Sequence, residues 1–599
     1  MGATTAAAAS SRAVGAATIA EAFRITAEDH PDRVAVRTKD DEVSLTWSEL
    51  RDRVDAFARG LHALGVRRGD TVALMLGNRP EFHIADLAAM TLGATPFSIY
   101  ATSSPEQITY VVGDAKARVA VVEELFLNQF RAARGDLPEL EHVVVLEGAQ
   151  GSDTLGWAEV EATESDLDVE AAWRGVEPED LITLIYTSGT TGPPKGVQLV
   201  HRNLMAATRG VEQLIRFPDG SKVISWLPSA HIAERMAHHY LPIVYAMTIT
   251  TCPNPREVVG YLPAVKPTWF FAVPRIWEKL KAGMEGFLAS GEGGEQKRAW
   301  LEAATRKVEL EQAGEPVPED LAATVAQADE QLFSQVRAML GFDQVAAVNV
   351  GAAPTPREVL VFFHAIGVPL AELWGMSETC GAGACNPPEK IKIGTVGPPT
   401  PGVEAKLAED GELLIRSDVV MTGYKNVPDR TSEALDADGW LHTGDIATID
   451  EDGYITIVDR KKELIISASG KNMSPANIES TLKGSSPLIG QAATIGDGRH
   501  YNTALIVLDA DFAPAWAAQN GLEGKSLEGL AREDAIRTAV QAAVDKANDK
   551  LSRVEQIKRF TIIAGDWAPG GDELTPTMKL KRRPIAEKYA AEIEAMYAG

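Results

Sequence analysis

Cysteine is scarce in this 599-residue chain: Cys252, Cys380 and Cys385 are too few for a disulfide framework and lack the paired spacing of a structural metal site. A reducing, cytoplasmic location is expected. Basic residues number 58 against 84 acidic ones, a formal net charge of −26. The missing basic excess argues against a nucleic-acid partner, so an anionic ligand must be attracted locally. No run of about 20 apolar residues occurs, so no transmembrane segment is expected and membrane contact would be peripheral. Residues 1–15 are rich in Ala, Ser and Thr and lack the apolar core of a secretory leader, and Ala6 breaks the myristoylation pattern. A disordered tail over 1–15 is the expectation. What remains is an ordinary globular composition, 45% hydrophobic and 24% charged, in a chain too long for one core. Two or more domains follow.

The chain is organised around residues 181–197. The β-branched and aromatic run 181–186 reads as a buried strand. It runs into Thr187, Ser188, Gly189, Thr190, Thr191 and Gly192, then Pro193, Pro194 and Lys195. Small hydroxyls, glycines that admit close backbone approach, and one cationic point charge suit polyphosphate oxygens. The common P-loop, with Gly-Lys-Ser/Thr four residues after its first glycine, is absent, which disfavours a kinase or motor ATPase. A Gly/Ser/Thr-rich surface turn is the bland alternative.

Between residues 45 and 122 helical and strand patterns alternate, which implies a mostly parallel sheet covered by helices, doubly wound in preference to a barrel. His231, in Trp226-Leu-Pro-Ser-Ala-His231, fits a satisfied core histidine as well as a site residue. Residues 285–342 are charged and Ala/Glu/Gln-rich with helical spacing, a helical insertion read as a solvated helical pair. Gly351-Ala352-Ala353 follows an apolar strand and lets a planar ligand lie on the backbone. Trp374-Gly375-Met376-Ser377-Glu378 gathers a ring, a hydroxyl and a carboxylate able to stack a purine, contact phosphate and hold Mg2+. Asp445, in Thr443-Gly444-Asp445, suits ribose hydroxyls, although a surface turn aspartate would look the same. Four of the five residues 579–583 are basic, a pattern that alone is only an anion-attracting patch.

Tyr186-Thr-Ser-Gly-Thr-Thr-Gly-Pro-Pro-Lys-Gly196 resembles the phosphate loop of the adenylate-forming superfamily of acyl-CoA synthetases, luciferases and peptide-synthetase adenylation domains. Six motifs in family order, from Tyr186 to Lys579, extend the resemblance over most of the chain. It implies an α/β fold: a large multi-subdomain α/β domain of the acyl-CoA synthetase type over 16–461, with the insertion near 285–342, and a smaller mobile C-terminal α/β lid over 462–599. It implies a long-chain fatty acyl-CoA ligase type, which joins a medium- to long-chain fatty acid to ATP, releases pyrophosphate, and transfers the acyl group from AMP to coenzyme A. Delivery to a carrier-protein thiol or an amine is the alternative. Residue by residue, the resemblance assigns Thr187 to Thr191 and Lys195 to the β- and γ-phosphates and Glu378 to Mg2+. Ser377 and Lys579 go to the α-phosphate, Gly351, Ala352, Ala353, Trp374 and Gly375 to the adenine side, and Asp445 and Arg460 to the ribose. His231 falls on the acyl and thiol approach, and Lys462 on the hinge. Ala352 stands where the family has a second glycine, and Arg235 stands where some long-chain members carry an aromatic gate.

Overall fold

The computed structural model describes residues 11–187, 193–289, 293–467, 471–575 and 578–598. The alternation read in the first 150 residues folds as a five-stranded parallel sheet in the order Thr95–Ser98, Thr71–Met75, Val119–Val122, His142–Val145, Leu155–Gly156. Its inner strands are buried at every position but His142 because helices cover both faces. The helices start where the sequence signals them. Thr46 and Glu49 form a capping box ahead of Trp47–Ala63, and Trp47, Leu50, Val54, Phe57 and Leu61 make its buried stripe.

Two further sheets have parallel centres. Lys222–Ser225, Thr248–Thr251 and Val34–Thr38 form one, edged by antiparallel Ser44–Thr46. Trp269–Ala272, Ala347–Val350 and Leu370–Trp374 form the other, edged by antiparallel Ala384–Cys385. A fourth, antiparallel sheet runs Glu404–Leu407, Glu412–Arg416, Leu441–Ile449, Ile455–Arg460.

Beyond residue 462, Ile489–Ile495, Asn502–Leu508 and Ile557–Ile563 form a small sheet. Its middle strand alternates: Ala504, Ile506 and Leu508 enter one core, Leu505 and Val507 another on the opposite face. This small unit docks on the large one through three ion pairs, Arg275 with Asp509, Lys279 with Asp511, and Lys550 with Glu358 at 3.2 Å.

Two expectations need correction. The tail is not disordered to residue 15: Arg12–Gly15 is a 3-10 turn capped by Ser11, and Ala13 and Val14 are buried against the core. The residues before it lie outside the description. The insertion is helical, as Gly294–Ala313, Glu319–Ala328 and Ser334–Met339, but it is not a solvated pair. Ala304, Val308, Leu332, Phe333 and Val336 are buried, and Gln312 bonds the backbone at Ile391 and Ile393. The run at 181–186 is the buried strand expected, Leu181–Thr187, and its partner Lys195–Val200 is antiparallel, which sets Thr187 opposite Lys195.

Candidate active site

The site is assembled where the antiparallel sheet meets the end of Leu370–Trp374. Asp445 and Arg460 are cross-strand partners, and Arg460 Nε lies 2.7 Å from Asp445 Oδ1. The other carboxylate oxygen accepts Trp374 Nε1–H at 2.8 Å. Asp445 is buried, which raises its pKa, and Arg460 opposes that rise. A fixed carboxylate beside a half-exposed guanidinium and an indole can take vicinal hydroxyls and a flat base.

The turn beside it is held open for a planar ligand. Ala352 keeps the left-handed backbone, at φ +71°, that its family-type glycine would adopt freely, at a cost of about 1–2 kcal/mol for an L-residue. The substitution therefore leaves the turn's shape intact, with Gly351 buried and Ala353 exposed at its edge. A Cβ on Gly375 would meet the Gly381 carbonyl oxygen at 2.2 Å, so only glycine allows this close approach.

At the phosphate end, Tyr424 organises both charges. Its hydroxyl donates to Glu378 Oε1 at 2.7 Å, and Lys195 Nζ sits 4.2 Å from its ring centroid. Burial lowers the Lys195 pKa, Glu378 partly restores it, and Arg430 and Lys462 lower it further, which shows three cations gathered on one spot. Ser377 is buried at the same turn. Thr187 borders the site, whereas Ser188, Gly189, Thr190 and Thr191 lie outside the described residues.

Lys579 comes from the small unit, on a loop closed by Thr575 N–H to the Lys579 carbonyl at 2.8 Å and by Lys579 N–H to Thr575 Oγ1 at 3.0 Å. Lys579 keeps solvent contact, with Arg460, Asp445, Glu463 and Glu378 near enough to act on its charge. Desolvation there lowers its pKa first and Arg460 second, while Asp445, Glu463 and Glu378 raise it. The neighbouring basic residues do other work: Arg582 pairs with Glu479 at 2.7 Å and Arg583 with Glu587 at 2.8 Å.

His231 faces the same lysine. It is the N-cap of Ile232–Arg235, and its Nδ1 accepts Ala233 N–H at 3.1 Å. That bond assigns the proton to Nε2, making the ring a neutral donor. Burial and then Lys579 push its pKa down to about 4. Lys461 and Glu463 flank Lys462 and point to opposite units. Lys461 pairs with Glu412 at 2.9 Å in the large one, and Glu463 with Arg582 at 3.1 Å in the small one.

An apolar pocket of about 60 Å³ abuts this centre, lined by Leu214, Met236, Leu241, Trp269, Leu373 and Ala382 among others. A wider groove of about 760 Å³, between Ile19–Asp29 and Trp47–Ala63, is lined by charged side chains and shares none of the site residues.

The family described as AMP-binding enzyme matches residues 23–425, and its C-terminal domain matches 462–599. The chain belongs to the AMP-binding enzyme family. Relatives in this family include fadD11 of Mycobacterium tuberculosis, named as a fatty-acid–CoA ligase, 50% identical over 72% of this chain and 76% of its own length. The long-chain-fatty-acid–CoA ligase FadD15 of Mycobacterium bovis is 36% identical over 95% of both chains. The fold matches the o-succinylbenzoate coenzyme A synthetase of Bacillus subtilis solved with ATP and magnesium, with a TM-score of 0.68, 21% identity and coverage of 94% of this chain and 98% of that one.

Sequence reasoning within this AMP-binding fold missed Tyr424, whose two partners are remote in sequence, and the buried pair Glu234–Arg235. Two adjacent ionisable residues inside an apolar run carried that signal. Glu372 was missed as well: burial raises its pKa to about 7, against backbone N–H bonds from Thr355 and Gly394.

Proposed function

We propose that this AMP-binding enzyme is an AMP-forming fatty acyl-CoA ligase that activates a medium- to long-chain fatty acid with ATP and passes it to coenzyme A. The observation that carries the substrate class is the apolar pocket at Leu373, next to Trp374, which would set a hydrocarbon beside the nucleotide. The likeness to FadD15 along nearly the whole chain supports the same reading. At about 60 Å³ the pocket is too small for a long hydrocarbon as it stands, so a long tail enters as side chains such as Met236 move.

In the first half-reaction the carboxylate, ionised near neutral pH, attacks the α-phosphorus, and the bond to the pyrophosphate oxygen breaks. Asp445 and Arg460 hold the ribose, with Trp374, Gly375 and the turn Gly351-Ala352-Ala353 beside the base. Lys195, with the loop Thr187 to Thr191, holds the β- and γ-phosphates. Lys579 and Ser377 stabilise charge on the α-phosphate. Glu378 fits a Mg2+ ligand, since it is a buried carboxylate oriented by the Tyr424 hydroxyl, and the ion when bound neutralises polyphosphate charge. His231 offers Nε2–H to the acyl oxygen. In the second half-reaction the coenzyme A sulfur attacks the acyl carbon and the carbon–oxygen bond to AMP breaks.

The two units are read as a catalytic body, 16–461, and a lid, 462–599, hinged at Lys462, in a cytoplasmic enzyme. Among the described residues no helix is long and apolar enough to cross a membrane. A panel of short, medium and long straight-chain acids, scored for ATP-dependent pyrophosphate release with and without coenzyme A, tests the assignment. Release that yields thioester only with coenzyme A and medium or long acids is expected. Release without thioester would transfer the reading to a carrier-protein thiol or amine acceptor.

A further inference from the structure

Directly behind His231 lies a pair of charges that the chemistry above does not use. Glu234 and Arg235 are about 1% and 0% exposed, adjacent in sequence, and turned to opposite sides of the one-turn helix that His231 caps. The Glu234 carboxylate accepts the backbone N–H groups of Leu227 at 2.9 Å and Trp226 at 3.4 Å. It also accepts Ser225 Oγ at 2.6 Å, Asn78 Nδ2 at 3.0 Å and His238 Nδ1 at 2.6 Å. Arg235 Nε donates to the Ser229 carbonyl at 3.2 Å, Nη1 to Asp86 Oδ2 at 2.6 Å and Tyr240 Oη at 3.1 Å, and Nη2 to Ser98 Oγ at 2.9 Å. Asp86 is wholly buried; burial alone would raise its pKa, and Arg235 and His239 hold it below the usual carboxylate range.

Glu234 thus grips the first two residues of the 226–231 turn and Arg235 grips the fourth, so the segment that carries His231 is held at its start and at its middle. A fully desolvated ion pair contributes little net stability, because removing both charges from water offsets their attraction. Its yield is a single geometry. The planar guanidinium has its donors committed to four different acceptors on three separate segments, and no other side chain reproduces that fork.

We propose that Glu234 and Arg235 are positioning residues, which hold the 226–231 turn so that His231 presents Nε2–H to the acyl oxygen. This rests on the reading of His231 given above and assigns no contact with substrate to either residue. The scaffold acts through His231 alone, so its loss and the loss of His231 must overlap.

The test is a cycle of His231→Ala, Arg235→Lys and the double variant, read by pyrophosphate release. Lysine keeps the charge facing Asp86 but cannot also bond Ser229, Ser98 and Tyr240. Arg235→Lys is expected to lower kcat for acyl-adenylate formation by about 10²-fold, the scale of a roughly 1 Å misplacement, with the KM for ATP within about twofold. The double variant should be no slower than His231→Ala. In ¹⁵N-histidine-labelled enzyme the His231 signal should report protonation at Nε2, and in Arg235→Lys a mixture of tautomers. Multiplying losses in the double variant, or an unchanged kcat in Arg235→Lys, would overturn the scaffold while leaving His231 in place. Full activity of His231→Ala would overturn both. If Arg235→Lys does not fold, Asp86→Asn, which keeps the volume and loosens the grip on the guanidinium, runs the same cycle with the same readings.

Discussion

Replacing Lys579 with alanine separates the two half-reactions. Lys579 comes from the small unit, whereas Asp445, Arg460 and Trp374 all belong to the large one. ATP should therefore still bind, with KM changed by only a few-fold. A unit charge about 4 Å from a phosphate oxygen, at an effective dielectric near 20, is worth up to roughly 4 kcal/mol. Loss of one such preorganised contact typically costs about 10²–10³ in rate. Adenylation, followed as exchange of labelled pyrophosphate into ATP, should fall by that factor. Thioester formation from a supplied acyl-adenylate should persist. The charged form is the active one, and desolvation lowers its pKa from the ordinary 10.5, so wild-type adenylation should decline on the alkaline side at a lower pH than a free lysine would dictate. Lys579→Arg should move that decline to higher pH. Equal loss of both half-reactions in Lys579→Ala, or an unshifted alkaline limb in Lys579→Arg, would refute the reasoning.

Two other outcomes follow from the geometry. Lys462 stands between Lys461, paired into the large unit, and Glu463, paired into the small one. Proline there fixes φ near −65° and should leave adenylation intact while abolishing most thioester release, with Lys462→Ala keeping both; normal turnover by a folded Lys462→Pro enzyme moves the hinge elsewhere. Glu372 has a folded pKa of about 7, against 4.5 when free, so between those values the native state binds the extra proton. Stability should then fall as pH rises through that window, by roughly 3 kcal/mol at most. Glu372→Gln should match wild type in thermal unfolding at pH 4.5 and exceed it at pH 8; parallel curves would show that the carboxyl is not protonated in the fold.

What the sequence disclosed was what lies within a few residues of itself. Trp374-Gly-Met-Ser-Glu378 and Thr443-Gly-Asp445 are short runs whose neighbouring side chains are proposed to serve one ligand, so residue type and order suffice to single them out. The bond that joins these two motifs spans 71 positions, and the one from Tyr424 to Glu378 spans 46; no local pattern encodes either. Arg235 looked like a substitution in an acyl gate because only its spacing from His231 was visible. Its partners Asp86, on the helix Pro80–Thr91, and Ser98, at the end of the strand Thr95–Ser98, are 149 and 137 residues away. The direction of the strand that pairs with Leu181–Thr187 was not legible either. A strand buried on both faces has the same apolar composition whichever way its neighbour runs, and direction is set by the connection.

The three ion pairs that dock the small unit act on time as well as on position. On the proposal that the small unit is a lid, the two solvent-reached pairs, Lys279–Asp511 and Lys550–Glu358, at about 0.2–1 kcal/mol each, and the less exposed Arg275–Asp509 would lengthen its closed dwell by having to break before it turns. During that dwell a reactive mixed anhydride is shut away from bulk water. Too short a dwell would leak adenylate to hydrolysis, and too long a dwell would stall every cycle at its midpoint. On that proposal Arg275, Lys279 and Glu358 would set the fraction of ATP that ends in thioester and not in wasted AMP.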